Sequence, residues 1–258
     1  MHPTEDPCQN MAGIPDWGGA SVPCRLVAER TDALAQSPDT TGMESRAWLV
    51  AVSLVVLAVT TVLAFITPPL ATEVSIMTWM NEAFGGSLLE LSRFLDVVGG
   101  VDVMSPLFVA LAAVLFLVGR RRPARAVLAA TAATLLLNIG IKTLVDRPRP
   151  VRFALSAVEV DPLASYPSGH TLFATVFFGL LVGLVRGSRW RSFVLAMGVV
   201  VSVLMAVSRV YLGEHFPSDV VASFAIGILI VDAVDRFIGL STNRSNSARL
   251  EADGAAGR

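Results

Sequence analysis

From residue 46 onward the chain alternates long apolar runs with short polar breaks. Six runs, at roughly 47–67, 102–119, 126–145, 169–186, 192–211 and 219–238, approach the ~20 mostly apolar residues that a helix needs to cross a bilayer. The first, WLVAVSLVVLAVTTVLAFI, stops at Pro68-Pro69; the second opens near Ser105-Pro106 and ends in GRRRPAR. A soluble core would not need so many runs of this length. Residues 70–100 differ. Ile76, Trp79, Met80 and Phe84 recur at helical spacing, as do Leu88, Leu91, Leu95 and Val98. Glu82, Glu90, Arg93 and Asp96 fall between them, and Gly85-Gly86 and Gly99-Gly100 are breaks. This pattern predicts two short amphipathic helices, lying in the membrane interface or packed as a cap over the bundle. The predicted fold is all-α: a six-transmembrane-helix bundle with short interfacial helices between spans one and two. Residues 1–45 are polar and lack the basic start and apolar core of a signal peptide, so they read as a disordered tail. The organisation expected is a tail over 1–45, a membrane domain over 46–239 and a second disordered tail over 240–258.

Composition agrees with a membrane protein. Hydrophobic residues make up 53 % and charged residues 16 % of the 258, against about 25 % charged in soluble domains. Mean hydropathy is +0.64. With 20 Lys+Arg against 21 Asp+Glu, no net charge draws the chain to nucleic acid. The two cysteines, Cys8 and Cys24, are too few for a disulfide framework or a four-ligand zinc site. Helix parity places fourteen of the 20 cations on the face that holds both termini, including Arg120, Arg121, Arg122, Arg125, Arg186, Arg189 and Arg191. The positive-inside rule makes that face cytoplasmic. Lysine occurs once, at Lys142, and the bias to arginine, alanine and valine fits a high-GC bacterium and hence its plasma membrane.

Three polar clusters interrupt the apolar pattern. Lys142, Arg147 and Arg149-Pro150 end the third run; Tyr166-Pro167-Ser168-Gly169-His170 opens the fourth; Ser208-Arg209, His215 and Asp219 join the fifth and sixth. Parity returns all three to the outer face, where they can converge. Ionisable groups at membrane depth are costly and tend to mark function. Lys142, Arg149 and Arg209 with the hydroxyl of Ser168 suit a doubly charged oxyanion, since guanidinium forks match phosphate oxygens and lysine adds a point charge. Gly169 permits close backbone approach, and the start of a helix offers free N–H groups. His170 and His215 can divide acid and nucleophile roles. Asp219, one turn after His215, can accept its Nδ1–H. Paired metal-ligand carboxylates are missing, so a two-metal site is not expected. Arg147 and Arg152 read as rim charges, Tyr166 and Glu214 as structural neighbours, and Asp232 with Arg236 as an interfacial ion pair.

The spacing K-x6-RP, PSGH and SR-x5-H-x3-D resembles the signature of the type 2 phosphatidic acid phosphatase superfamily. Lys142 with Arg149-Pro150, Pro167-Ser168-Gly169-His170, and Ser208-Arg209 with His215 and Asp219 fill its three elements in order. The resemblance covers about residues 47–238. It implies a metal-independent phosphatase without a cofactor that works through a phosphohistidine. His215 would be the nucleophile, Asp219 its orienting partner and His170 the general acid; Lys142, Arg149, Ser168, Gly169 and Arg209 would cradle the phosphate.

The substrate implied is a lipid phosphate or pyrophosphate whose tail stays in the bilayer. Polyprenyl pyrophosphate (undecaprenyl or decaprenyl) is the first choice. Phosphatidylglycerol phosphate, phosphatidic acid and diacylglycerol pyrophosphate are alternatives. A binding or transport protein without turnover would need the cradle but not His170, His215 and Asp219 together. The oligomeric state has no signature in the sequence.

Overall fold

The computed structural model describes residues 40–66, 69–150 and 164–238. Most of the N-terminal tail, the C-terminal tail and Arg152 lie outside the described residues. The chain divides into two compact units, Met1–Trp48 and Leu49–Arg258. Every candidate site residue belongs to the second.

Eight helices and no strand occur among the described residues: α1 (Thr40–Ala64), α2 (Ala71–Phe84), α3 (Leu89–Gly99), α4 (Val101–Leu117), α5 (Arg121–Val145), α6 (Gly169–Leu184), α7 (Arg191–Tyr211) and α8 (Pro217–Phe237). A helix covers each of the six apolar runs. By length and apolarity, α1 (over Glu44–Ala64), α5 and α7 can each cross a membrane, and α3 with α4 can cross as one broken span bent by 50°. Among the described residues the protein is all-helical, with three to four candidate spans that make it a multi-pass membrane protein. The apolar helix α6 has 16 residues, about 24 Å at 1.5 Å per residue, which falls short of a ~30 Å hydrocarbon core. The 21 residues of α8 include Asp219, Asp232, Asp235 and Arg236.

The two helices expected within 70–100 form on either side of Gly85-Gly86 as α2 and α3. The second does not stand apart from the bundle. It runs through Gly99-Gly100 into α4 and packs on α6 and α7. Its buried residues, Ser92, Leu95 and Gly99, fall on one helical face.

At the centre of the fold is α6, packed on α7 and α8 and also on α4 and α5. Phe108 and Leu115 of α4, Val127 and Ala130 of α5, Phe173, Val176 and Leu180 of α6, and Ile226 and Ile230 of α8 form the main apolar core. Phe108 meets Phe177 edge-on, with ring centroids 5.3 Å apart. Two glycines let backbones approach as small residues do in membrane bundles: a Cβ at Gly198 would lie 2.7 Å from Phe178, and one at Gly227 would lie 2.7 Å from Thr175.

Ion pairs form at both ends of the bundle. At the C-terminal end of α8 the Asp232–Arg236 pair forms as expected, at 2.5 Å, and Arg186 reaches Asp235 at 2.8 Å. The other end is built by helix termini. After α5, Asp146 takes the left-handed conformation (φ 46°) and donates its N–H to the Lys142 carbonyl at 2.9 Å. That turn sends Arg147 inward. Pro217 occupies the first position of α8, where its missing N–H costs nothing. Asp219 then accepts the Phe216 N–H at 2.9 Å, closing the start of the helix.

Candidate functional site

The three polar clusters meet at this end of the bundle. His215 sits in the turn between α7 and α8 and is buried. Its Nδ1 lies 2.6 Å from the Ser165 carbonyl oxygen and 3.7 Å from Asp219 Oδ2. The carbonyl only accepts, so Nδ1 carries the hydrogen and Nε2 holds the lone pair. The expected contact with Asp219 is therefore replaced by one to the backbone of Ser165. The one-turn spacing does bring Asp219 near. Its carboxylate is already aimed at the Phe216 N–H, however, and accepts from the Ser165 hydroxyl and from Arg147. Asp219 and His215 thus meet at Ser165, the one at its hydroxyl and the other at its backbone carbonyl. Burial pushes the His215 pKa down to about 4, with Lys142 and Arg149 adding to the shift and Asp219 opposing it. The imidazole is thus neutral at neutral pH.

Around His215 the remaining candidates take their places. Lys142, in the last turn of α5, is buried and donates to the Ala164 carbonyl. The Arg149 side chain is 8 % exposed, and its Nη1 lies 3.8 Å from Glu214 Oε2. Ser168 caps α6, with its hydroxyl 3.2 Å from that of Thr171 and its N–H directed at the Asp219 carbonyl at 3.4 Å. Gly169 opens α6 against Asn138, which a Cβ would approach to 3.3 Å. Arg209 is fully buried. Its guanidinium donates to Asp96, to Glu214 at 3.1 Å, to the Ser92 carbonyl at 3.1 Å and to Ser208 Oγ at 3.2 Å. His170 Nε2 lies 3.0 Å from the Asp96 carbonyl oxygen and 3.1 Å from Asp96 Oδ1. All eight expected residues lie in this one polar end.

Three charged residues have roles that the sequence did not reveal. Arg147, expected at the rim, is buried: it reaches Asp219 at 2.5 Å, Glu73 at 2.7 Å and the Ser218 hydroxyl at 2.7 Å, and it lies 4.1 Å over the Phe216 ring. Glu73 of α2 also accepts the Ser218 N–H at 3.1 Å. Asp96 of α3 reaches both His170 and Arg209. The signal available was the cost of placing an acid between apolar helices; periodicity sets Asp96 between the apolar positions, while Glu73 shares the face of Met77 and Met80. Tyr166 proves structural, its hydroxyl 3.1 Å from Thr60 and 2.9 Å from Thr61 on α1. Among the described residues, no three His, Cys, Asp or Glu side chains are grouped as a metal site requires.

Residues 123–240 match the model of the PAP2 superfamily. The chain is 27 % identical over 164 residues to phosphatidylglycerophosphatase B of Bacillus subtilis, covering 62 % of this chain and 75 % of that protein. It is 40 % identical over 97 residues to decaprenylphosphoryl-5-phosphoribose phosphatase of Mycobacterium tuberculosis, covering 37 % of this chain and 50 % of that protein. Among solved structures, a transmembrane PAP2-type phosphatidylglycerolphosphate phosphatase of Bacillus subtilis shares the fold. Its TM-score is 0.60 at 23 % identity, over 72 % of this chain and 94 % of that one.

Removing Arg147 leaves Glu73 and Asp219 buried without a counter-ion. Arg147→Ala is expected to lower stability by about 3–5 kcal/mol, the range for breaking one partner from a buried pair. Arg147→Lys keeps the charge but not the fork and should recover only part of this. Thermal unfolding in detergent measures both.

Proposed function

We propose, from the premise that the chain belongs to the PAP2 superfamily, that it is a metal-independent membrane phosphatase acting on a lipid phosphate or pyrophosphate through a phosphohistidine. The observation that carries this reading is the 2.6 Å contact from His215 Nδ1 to the Ser165 carbonyl, which leaves the Nε2 lone pair for attack. Burial keeps that imidazole neutral. In the first step Nε2 bonds to phosphorus and the bond from phosphorus to the leaving oxygen breaks. The electron pair goes to that oxygen, which takes a proton from His170. In the second step water adds to phosphorus and gives a proton to His170, the N–P bond breaks, and its electrons return to Nε2. Lys142, Arg149 and Arg209 hold the phosphoryl oxygens with the Ser168 hydroxyl and the first N–H groups of α6, opened by Gly169. Asp219 keeps His215 in place through Ser165. Such a site works by positioning and charge stabilisation in a water-poor end of the bundle.

The polyprenyl name of the Mycobacterium relative supports a polyprenyl pyrophosphate as the first substrate to test, and the Bacillus relative supports phosphatidylglycerol phosphate as the second. The bilayer would hold the tail while the headgroup enters the site. We take all six apolar runs to cross the membrane, with both termini cytoplasmic and the site on the outer face. The distribution of cations supports this orientation.

Purified protein in detergent with EDTA should release phosphate from one or more of polyprenyl pyrophosphate, phosphatidylglycerol phosphate and phosphatidic acid. His215→Ala should lower release by about 10³-fold or more, as loss of a nucleophile does. Lipid phosphate bound without turnover in the unmodified protein would favour a carrier instead, and strict dependence on magnesium would remove the mechanism.

The depressed pKa of His215 fixes the sign of the acid response. Above about 4 the ring stays neutral and competent, so kcat/KM, corrected for ionisation of the substrate, should hold to near pH 4. A fall centred near 6.5, the ordinary histidine value, would mean a solvated nucleophile.

Orientation is tested with Cys8 and Cys24 replaced by serine. Ser87→Cys, beside the Gly85 carbonyl that receives the Tyr211 hydroxyl, should react with an impermeant thiol reagent on intact cells. Arg189→Cys, in the turn between α6 and α7, should react only after lysis. The reverse pattern inverts the topology.

A further inference from the structure

We infer that Asp96 is the positioning residue of His170, tying its ring to Arg209; this rests on the reading of His170 as the general acid. Asp96 lies outside residues 123–240, the part that matches the family. Two of its oxygens face one ring nitrogen: the backbone carbonyl at 3.0 Å and Oδ1 at 3.1 Å from His170 Nε2. Both are acceptors, so Nε2 carries a hydrogen in the neutral and the charged ring alike. The proton that leaves for the departing oxygen, and later returns from water, is then the one on Nδ1. The same Oδ1 also takes a hydrogen bond from Arg209 Nη1. One carboxylate therefore sets the tautomer of the acid and its place relative to a cation of the phosphate cradle.

The backbone is shaped for this contact. The His170 ring lies against the break between α3 and α4, where a Cβ on Gly99 would stand 2.9 Å from His170 Cδ2 and 2.6 Å from the end of Met205. A larger residue there would push the ring away from Asp96. The charged groups facing this pair are Arg209 of α7 and, through Arg209, Glu214 of the turn before α8. Arg209 is fully buried and held from both sides, so Asp96, itself partly exposed, is anchored by a buried partner. The arrangement parallels His215, whose Nδ1 is likewise set by an acceptor that Asp219 holds in place.

The test separates positioning of an acid from general support. A general acid matters where the leaving oxygen is a strongly basic alkoxide and little where it is a weakly basic nitrophenolate. Dodecyl phosphate and 4-nitrophenyl phosphate supply the two cases. His170→Gln and Asp96→Asn should each lose about tenfold or more on dodecyl phosphate relative to 4-nitrophenyl phosphate, part of the 10²–10⁴ that general acids contribute. The double variant should shift that ratio no further than His170→Gln alone. A ratio taken within one preparation is independent of the folded fraction. If Asp96→Asn yields no active protein, Asp96→Glu keeps a charge for Arg209, displaces the carboxylate and should shift the ratio the same way. A shift in His170→Gln with equal losses on both substrates in the Asp96 variants overturns the inference and leaves the acid in place. No shift in His170→Gln overturns the acid and the inference with it. An unchanged ratio with tighter binding of inorganic phosphate in Asp96→Asn would make Asp96 a competitor for the anion site, which also overturns the inference.

Discussion

A guanidinium buried in an apolar bundle must be neutralised and hydrogen-bonded where it lies, because moving it from water into a medium of low dielectric is strongly unfavourable. Arg147 meets that demand with Glu73 from α2 and Asp219 from α8, while its plane rests on Phe216. This one side chain fixes the register of three segments. It sits one residue past the left-handed turn that ends α5, it holds the first turn of α8 through Asp219 and Ser218, and it draws α2 onto both. Asp219 in turn accepts from Ser165, whose carbonyl oxygen receives the Nδ1 hydrogen of His215. The tautomer of that histidine follows from the Ser165 backbone carbonyl, and Asp219 and Arg147 meet the same segment through the Ser165 hydroxyl. The apolar body of the protein, centred on α6, supplies rigidity. Which nitrogen of His215 carries the hydrogen is decided at the polar end of the bundle.

Most of the architecture was legible from hydrophobic pattern. Each apolar run became a helix, the glycine pairs marked real breaks, and parity brought Lys142, Arg149, Ser168, Gly169, His170, Arg209, His215 and Asp219 to one place. The failures have a common physical origin. A period assigns a residue to a face of its own helix and says nothing about what covers that face. Asp96 falls between apolar residues as part of a solvated stripe would, yet it is opposed by Arg209 from another helix, and Glu73, on the apolar face of α2, is opposed by Arg147. Arg147 has the same ambiguity: its neighbour Arg149 satisfies the spacing of the phosphate cradle, and nothing local tells the inward-facing cation from the outer one. The Asp219 contact shows the limit of spacing rules in another way. A residue one turn from His215 is close enough to bond, but at the start of a helix its carboxylate is claimed first by backbone N–H groups, which are fixed and already desolvated.

Charge at this end is closely matched before any substrate arrives. Arg147 faces Glu73 and Asp219, while Arg149 faces Glu214 and Arg209 faces both Glu214 and Asp96. The two halves of the set differ in how they are held. Glu73 and Asp219 are buried and bonded to backbone N–H groups as well as to Arg147, so moving either would strand several donors. Asp96 and Glu214 keep side-chain exposures of 26 % and 18 %, and Glu214 makes the loosest contact, 3.8 Å to Arg149. The carboxylates that retain access to water are therefore those facing Arg149 and Arg209, and those nearest His215 are the buried ones. The inner carboxylates are held by backbone donors as well as by Arg147, and the outer ones compensate Arg149 and Arg209 from partly exposed positions. In a low-dielectric environment that division matters more than the number of charges, since an arginine there would be costly to leave unpaired.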